Sequence, residues 1–400
     1  MKLKALLTYG IFTLGGLLCL TCVEEFEPET VTFESALVVE ATITDELKTH
    51  EVYLSRTYAF EDDGPDAEQN ASVEVSDNQG NRFTFVEIAP GIYRSAIEFS
   101  AEAGRSYTLN ITTSDGRTYS SSSTDLPSST SLDSIYAERI VNDDGVDGIA
   151  IYADSFDPNG NAGNYRYTYE ETFRIIAPNW TPIDLVEDDA LDAIPCDLKK
   201  VPRPTEQQTC YRTDTSTDII QIQTNNLDED RVSRFLVRFI NRDNYIISHR
   251  YSILVKQLVQ SDASFTFYET LNEFSGSESL FSSTQPGFLN GNVSSDINEE
   301  EKVLGYFEVA SVDEKRIFFN YEDFYPGEPL PPYIDACNDS APLLANMSGC
   351  VLLVVVEANL VRYVEDNPPT PNEGPYRVVP RVCGDCTEIG DVEVPEFWTE

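Results

Sequence analysis

From Ala36 to Leu126 apolar and polar residues alternate in short bursts, and a period of two predicts half-buried strands. Leu37-Val38-Val39, Val52-Tyr53-Leu54, Ser72 to Val75, Phe83 to Val86, Ile97-Glu98-Phe99 and Tyr107 to Ile111 carry the pattern. Between them Asp77-Asn78-Gln79-Gly80, Pro90-Gly91, Ala103-Gly104 and Asp115-Gly116 supply the residues that tight turns need. A polar stretch, Ser120 to Thr130 with Pro127, reads as a linker. A second run opens at Leu132 with Ile149 to Tyr152, Tyr165 to Tyr169, Phe173 to Ile176, Ile219 to Thr224, Phe235 to Ile240 and Tyr251 to Leu258. Val303 to Ala310 and Arg316 to Asn320 return late as its closing strands. Ala263 to Phe274 has the spacing of a helix, and the Gly/Ser/Asn-rich text from Ser275 to Ser295 reads as a long insertion. The apolar run Val351 to Val356 predicts a buried strand.

These elements predict a mainly β protein of two consecutive β-sandwiches, immunoglobulin- or transthyretin-like, with a short helical insertion and a disulfide-bearing C-terminal extension. The expected boundaries are 35–126 for the first sandwich, 131–325 for the second with its insertion at 263–295, and 326–400 for a Pro/Cys-rich extension packing on the second.

The N-terminus follows a different logic. Lys2 and Lys4 precede a run from Ala5 to Leu20 that is apolar apart from Thr, Tyr and Gly, which marks residues 1–21 as a secretory signal peptide. At about 16 residues the run is shorter than the ~20 a membrane span needs. Thr21 before Cys22 suggests lipoprotein processing, with Cys22 as the lipid carrier and residues 22–34 as an acidic tether. The 69 acidic against 27 basic side chains give a net charge of −42, which excludes nucleic acid as a natural partner. A 41% hydrophobic content is too high for a disordered acidic tail.

In an exported chain Cys196, Cys210, Cys337, Cys350, Cys383 and Cys386 are an even set of disulfide candidates. Two local pairs, Cys196 with Cys210 and Cys337 with Cys350, would each staple a long loop, and crossed pairings among the last four are the alternative. Cys383-Gly-Asp-Cys386 has neither a second CxxC nor a nearby His to complete a zinc shell.

Candidate chemistry is sparse. The two histidines, His50 and His249, sit at strand edges and are expected at the surface, and the nucleophile signature Gly-x-Ser-x-Gly is missing from the sequence. Asp157, Asn159 and Asn161 open like a calcium loop, but Ala162 and Thr168 stand where its turning glycine and closing glutamate belong, so solvated turns explain the cluster. No catalytic residue and no cofactor is expected. For binding, Trp180, Phe267, Phe274, Phe281 and Phe288 lie in long loops or beside the insertion, where rings form either a ligand platform or local core contacts.

The order of several short motifs is similar to that of a Bacteroidota envelope lipoprotein family, domain of unknown function 4249. They run from Cys22-Val-Glu-Glu-Phe and Leu37 to Asp45 through Val52 to Thr57, Gly91-Ile-Tyr93, Gly104 to Tyr107 and Asp133 to Tyr136. They continue with Gly291-Asn292-Val293, Leu304-Gly-Tyr-Phe307 and the ending Cys383 to Gly390 and Pro395 to Trp398. The resemblance implies a non-enzymatic accessory of a TonB-dependent nutrient receptor at the outer membrane, with the leaflet and any small-molecule or glycan ligand left open. Two alternatives stand beside it: a surface glycan- or peptide-degrading hydrolase, and a structural or adhesive surface protein.

Overall fold

The computed structural model describes residues 35–58, 64–189, 195–276 and 289–400. The expected signal peptide, Cys22, the expected tether, Phe281 and Phe288 lie outside the described residues. The first unit is one strongly curled sheet. Its strands are β1 (Leu37–Thr44), β2 (Glu51–Arg56), β3 (Ser72–Asp77), β4 (Arg82–Ala89), β5 (Ile92–Ser95), β6 (Ser106–Thr112) and β7 (Thr118–Ser121). Alternation does the folding here: Leu37, Val39, Ala41 and Ile43 of β1 point into a core shared with Val73, Val75, Leu109 and Ile111, while Glu40 and Thr42 point out. Ile97 to Phe99 is not a strand. The Ser95 hydroxyl accepts from the His50 amide and donates to the Ile97 carbonyl, which bends the chain, and only Phe99 bridges back to Lys48.

The second unit packs two sheets face to face. One holds β8 (Leu132–Val141), β9 (Asp147–Phe156) and, further along the chain, an edge strand at Arg231–Asn241. The other is built on β10 (Asn164–Ile176), with β11 (Thr209–Thr215) and β12 (Ile220–Gln223) along one side. Taking the Arg231–Asn241 strand as β13, β14 (Arg250–Val259) lies along the other side of β10. Ile149 and Ile151 from one sheet meet Tyr165, Tyr167 and Ile253 from the other. Helix α1 (Asp262–Gly276) follows β14, as its spacing predicts.

The returning segments join the units. β15 (Val293–Ser295) pairs with β7 in the first sheet. β16 (Val303–Asn320) is one 18-residue strand, not two. Its first half runs parallel to β1 in the first sheet, and its second half pairs antiparallel with β14 in the second. The expectation that Val303 to Ala310 closes the second sandwich is therefore corrected: Phe307 and Val309 belong to the first core. Between the two expected strands stand polar Asp313, Glu314 and Lys315, and the β14 ladder carries the strand straight through them. The 263–295 segment is likewise not one insertion, since it starts on one unit and ends in the other's sheet. Much of the supposed linker is also structured: Ser120 and Ser121 lie in β7, and Thr124–Asp125 pairs with Ser106–Tyr107.

Where the curled sheet returns to its start, Asn292 acts as the clasp. Its side-chain amide donates to the Phe307 carbonyl at 2.8 Å and accepts from the Phe307 amide at 2.7 Å, and its own carbonyl accepts from the Ser122 amide. The approach needs two glycines. A Cβ on Gly291 would fall 1.6 Å from the Gly305 carbonyl oxygen, and one on Gly305, at φ +100°, 1.8 Å from that of Val39.

The extension has its own small core. α2 (Leu352–Glu357), β17 (Val361–Asp366) and β18 (Tyr376–Pro380) pack Leu352, Leu353, Tyr363 and Val378 against Leu185 and Leu198 of a hairpin from the second unit. The run Val351 to Val356 is thus mostly helical rather than a strand. Leu352 and Leu353 turn inward while Val354 is half exposed, and packing overrides the β-branched preference. The disulfides are Cys196–Cys350, Cys210–Cys386 and Cys337–Cys383. Both local pairs are corrected: two bonds cross between the second unit and the extension, and the third ties the extension to itself.

Two outcomes are expected. Non-reducing peptide mapping should recover these three pairs and no 196–210 linkage. Gly305→Ala should lower unfolding stability by about 3 kcal/mol and Asn292→Ala by about 2 kcal/mol in urea titrations; values near zero would mean the first sheet does not close as described.

Candidate functional site

A cleft of about 1160 Å³ opens at the junction of the two units. One wall is the outward face of β1, β2 and the first half of β16, carrying Glu40, Tyr53 and Tyr306. The other is built from the start of β10, the β11–β12 turn around Asp218, and α1 with Phe267 and Tyr268. The helix is set by local chemistry: the Ser261 hydroxyl accepts from the Ser264 amide, and Asp262 sits in the first turn, where a negative charge suits the helix dipole. Asp262 also accepts from the Asn164 side chain at 2.7 Å, fixing the helix to β10.

Beneath the floor, against Thr42 and Arg166 of the lining, lies Glu308, whose side chain is wholly buried. Alternation along β16 puts it on the same outward face as Tyr306, opposite the core-facing Phe307 and Val309. Its Oε2 forms an ion pair with Arg166 and accepts from Thr42 at 3.2 Å; its Oε1 accepts from Gln260 at 2.6 Å and Ser264 at 2.7 Å. Burial opposes the charged carboxylate, but Arg166 and these donors outweigh it and hold the group below the usual carboxylate range. The Arg166 guanidinium lies 4.5 Å from the centre of the Tyr268 ring, which in turn neighbours Tyr306 and Phe267. A second cluster stands at the rim: Glu46 pairs with Lys48 and Lys256. Its carboxyl is drawn down to about 2, the two lysines prevailing over burial.

His50 is corrected from a surface residue to a buried one. It is 1% exposed; its ring packs 4.5 Å from Phe99, and its Nε2 bonds the Phe99 carbonyl at 2.9 Å. Burial pushes its pKa down to about 4, so it is neutral at pH 7; it borders the cleft with its Nε2 turned to Phe99. His249 is half-buried, and burial together with Arg174 lowers its pKa.

Of the rings proposed for binding, Phe267 lines the cleft. Phe274 lies further along α1, half-buried. Trp180 is elsewhere, packed on the second core where the Asn179 amide bonds the Cys383 carbonyl. Asp157 is a turn cap: its carboxylate accepts from the amides of Asn159, Asn161 and Ala162 at 2.8 to 3.2 Å, which occupies the oxygens a calcium ion would need. Asp335 stands beside Cys337 and Cys383, but those two sulfurs are bonded to each other. Sequence reading missed Glu308, Arg166, Glu40, Tyr53 and Tyr306. The signal was available in the alternation of β10 and β16, which sets Arg166 and Glu308 on outward faces that only the junction buries.

The buried pair gives a stability test. Arg166→Ala or Glu308→Ala should each cost about 3–5 kcal/mol by stranding the partner charge, while Arg166→Met with Glu308→Leu should cost far less than the sum. Because the Glu308 pKa is depressed in the folded state, its contribution is full above the ordinary value of 4.5 and is lost as pH falls below it. Glu308→Gln should accordingly flatten the acid limb of the stability–pH curve, and an unchanged limb would remove this role.

Comparison with known proteins gives the following. No curated protein matches the chain. A solved DUF4785 family protein from Legionella pneumophila shares 8% identity over 56% of this chain and 51% of that one, at a TM-score of 0.17, a likeness that carries no argument. This chain spans about half the length of that protein. A family model described as "Domain of unknown function (DUF4249)" matches residues 23–316, which includes every strand and helix that walls the cleft, and the chain belongs to that family.

Proposed function

We propose that this protein is a lipid-anchored, non-enzymatic binding component of the outer membrane that works beside a TonB-dependent nutrient receptor and holds a ligand or partner segment in the junction cleft. The observation that carries the binding part is the contrast within the cleft. Its floor is a buried ion pair whose carboxylate has both oxygens occupied, while its rim keeps Tyr53 44% exposed and Glu40 and Asp218 exposed and without ion pairs among the described residues. A volume of about 1160 Å³ lies above the roughly 300–1,000 Å³ of drug-sized pockets, which suits an extended ligand.

A glycosidase working by general-acid catalysis would need a carboxylic acid held protonated near neutrality. Glu308, buried beneath the cleft, is instead held charged, with both oxygens occupied. Support for the anchor comes from the text around Thr21-Cys22, and the receptor association comes from the resemblance alone.

The test is a mild-detergent pull-down of the tagged protein from native outer membranes, with Cys22→Ala in parallel. A TonB-dependent receptor recovered in stoichiometric amount with the native protein and lost with Cys22→Ala is the expected outcome. Recovery of the protein alone would overturn the stable-complex reading.

A further inference from the structure

We infer that the ligand of the junction cleft is a basic peptide, an extended segment whose Lys or Arg side chains enter between the tyrosines and carboxylates of the first sheet. This rests on the binding reading above and narrows it to one chemistry.

The placement follows from register. On β16, β1 and β2 the residues Tyr306, Glu40 and Tyr53 are direct cross-strand partners, so one carboxylate stands between two phenol rings at the ~5 Å spacing of neighbouring strands. Glu51 lies next to Tyr53 and shares Arg94 at 2.7 Å. Across the opening, Asp218 is exposed.

Charge then selects among ligands. The lining holds Glu40, Glu51 and Asp218 against Lys48 and Arg166, and Glu308 lies buried beneath it. Arg166 is spent on Glu308, Lys48 on Glu46 and Arg94 on Glu51, which leaves Glu40 and Asp218 unbalanced among the described residues. The Tyr53 phenol is pushed up to about 12, chiefly by its hydrogen bond to Glu51 and by burial, with Glu40 adding to the shift. A neutral glycan would bring hydroxyls to these carboxylates and leave the charge in place. A guanidinium or ammonium would offset it and also gain the ring faces. The cleft already contains that geometry, because Arg166 of the protein itself lies over the Tyr268 ring. At long range, a net charge of −42 draws cationic segments toward the protein.

A general attraction of basic peptides to so acidic a protein must be separated from a site. The experiment is fluorescence anisotropy of the full-chain protein in detergent with a labelled short peptide of alternating lysine and glycine, near 0.15 M salt, with maltohexaose as the neutral glycan probe. Glu40→Gln with Asp218→Asn should weaken peptide binding about tenfold and Tyr53→Ala about fivefold. Asp143→Asn with Asp144→Asn, which removes the same charge from an exposed turn between β8 and β9, should change it less than about twofold. Unchanged thermal melts verify that the variants fold.

Equal weakening by the two double variants would reduce the effect to the overall field and overturn the inference. So would absence of saturable binding, or Tyr53-dependent binding of maltohexaose in place of the peptide. Because receptor recovery is measured separately, a failed peptide titration with an intact pull-down removes the basic-peptide assignment and leaves the accessory role standing.

Discussion

A carboxylate without water must find its hydration shell in the protein, and Glu308 finds it only where the two units meet. Its four contacts come from Thr42 on β1, Arg166 on β10, Gln260 just past β14 and Ser264 on α1. A buried ion pair is a poor source of net stability compared with an apolar pair of the same shape. Its effect is selective instead. Any other orientation of the two sheets would strand a charge in a dry interior, and that cost of several kcal/mol rules the alternatives out. β16 makes the same demand in covalent form, since one strand contributes hydrogen-bond ladders to both sheets.

The character of the cleft follows from that fixed floor. Arg166 is held by Glu308 on one side and lies over Tyr268, so this wall need not reorganise when something binds. Preorganisation lowers the ordering cost of association, which leaves the rim residues free to determine what binds. The asymmetry between a charge-paired floor and a rim without ion pairs among the described residues is not explained by packing alone. Buried polar groups are satisfied as a rule, and exposed carboxylates flanked by tyrosines in a concave surface have no structural task.

Local pattern was legible in the sequence and long-range pairing was not. Strands such as Leu37–Thr44 and the helix at Asp262–Gly276 are visible because alternation and helical spacing are properties of neighbouring residues. Pairing of β16 with β1 across more than two hundred residues leaves no such mark, so local pattern places Val303 to Ala310 with the strands that precede it rather than with β1. The disulfides misled for a related reason. Short loops close at low entropic cost, which favours Cys196 with Cys210, but in the folded chain Cys350 lies beside Cys196 and Cys386 beside Cys210. His50 and the run after Val351 show tertiary context overruling a local reading, as burial converted a polar strand-edge residue into core and packing turned β-branched residues into a helix.

The C-terminal extension is explained by an edge. The family match ends at residue 316, inside β16, so both sheets and the cleft lie within it and the extension does not. β11 borders the second sheet, and an open edge strand is a template for unwanted pairing. The extension covers it: Tyr211 and Asp391 exchange backbone hydrogen bonds at 2.7 and 2.8 Å, the Cys210–Cys386 bond fixes the segment there, and Trp398 packs its ring 5.0 Å from that of Tyr211. β11 in turn is laddered to β10, the strand that carries Arg166. Bracing the outer edge therefore stiffens the strand that supplies the cation of the cleft floor, and adds a covalent constraint behind a site already held by one buried ion pair and by the strand that both sheets share.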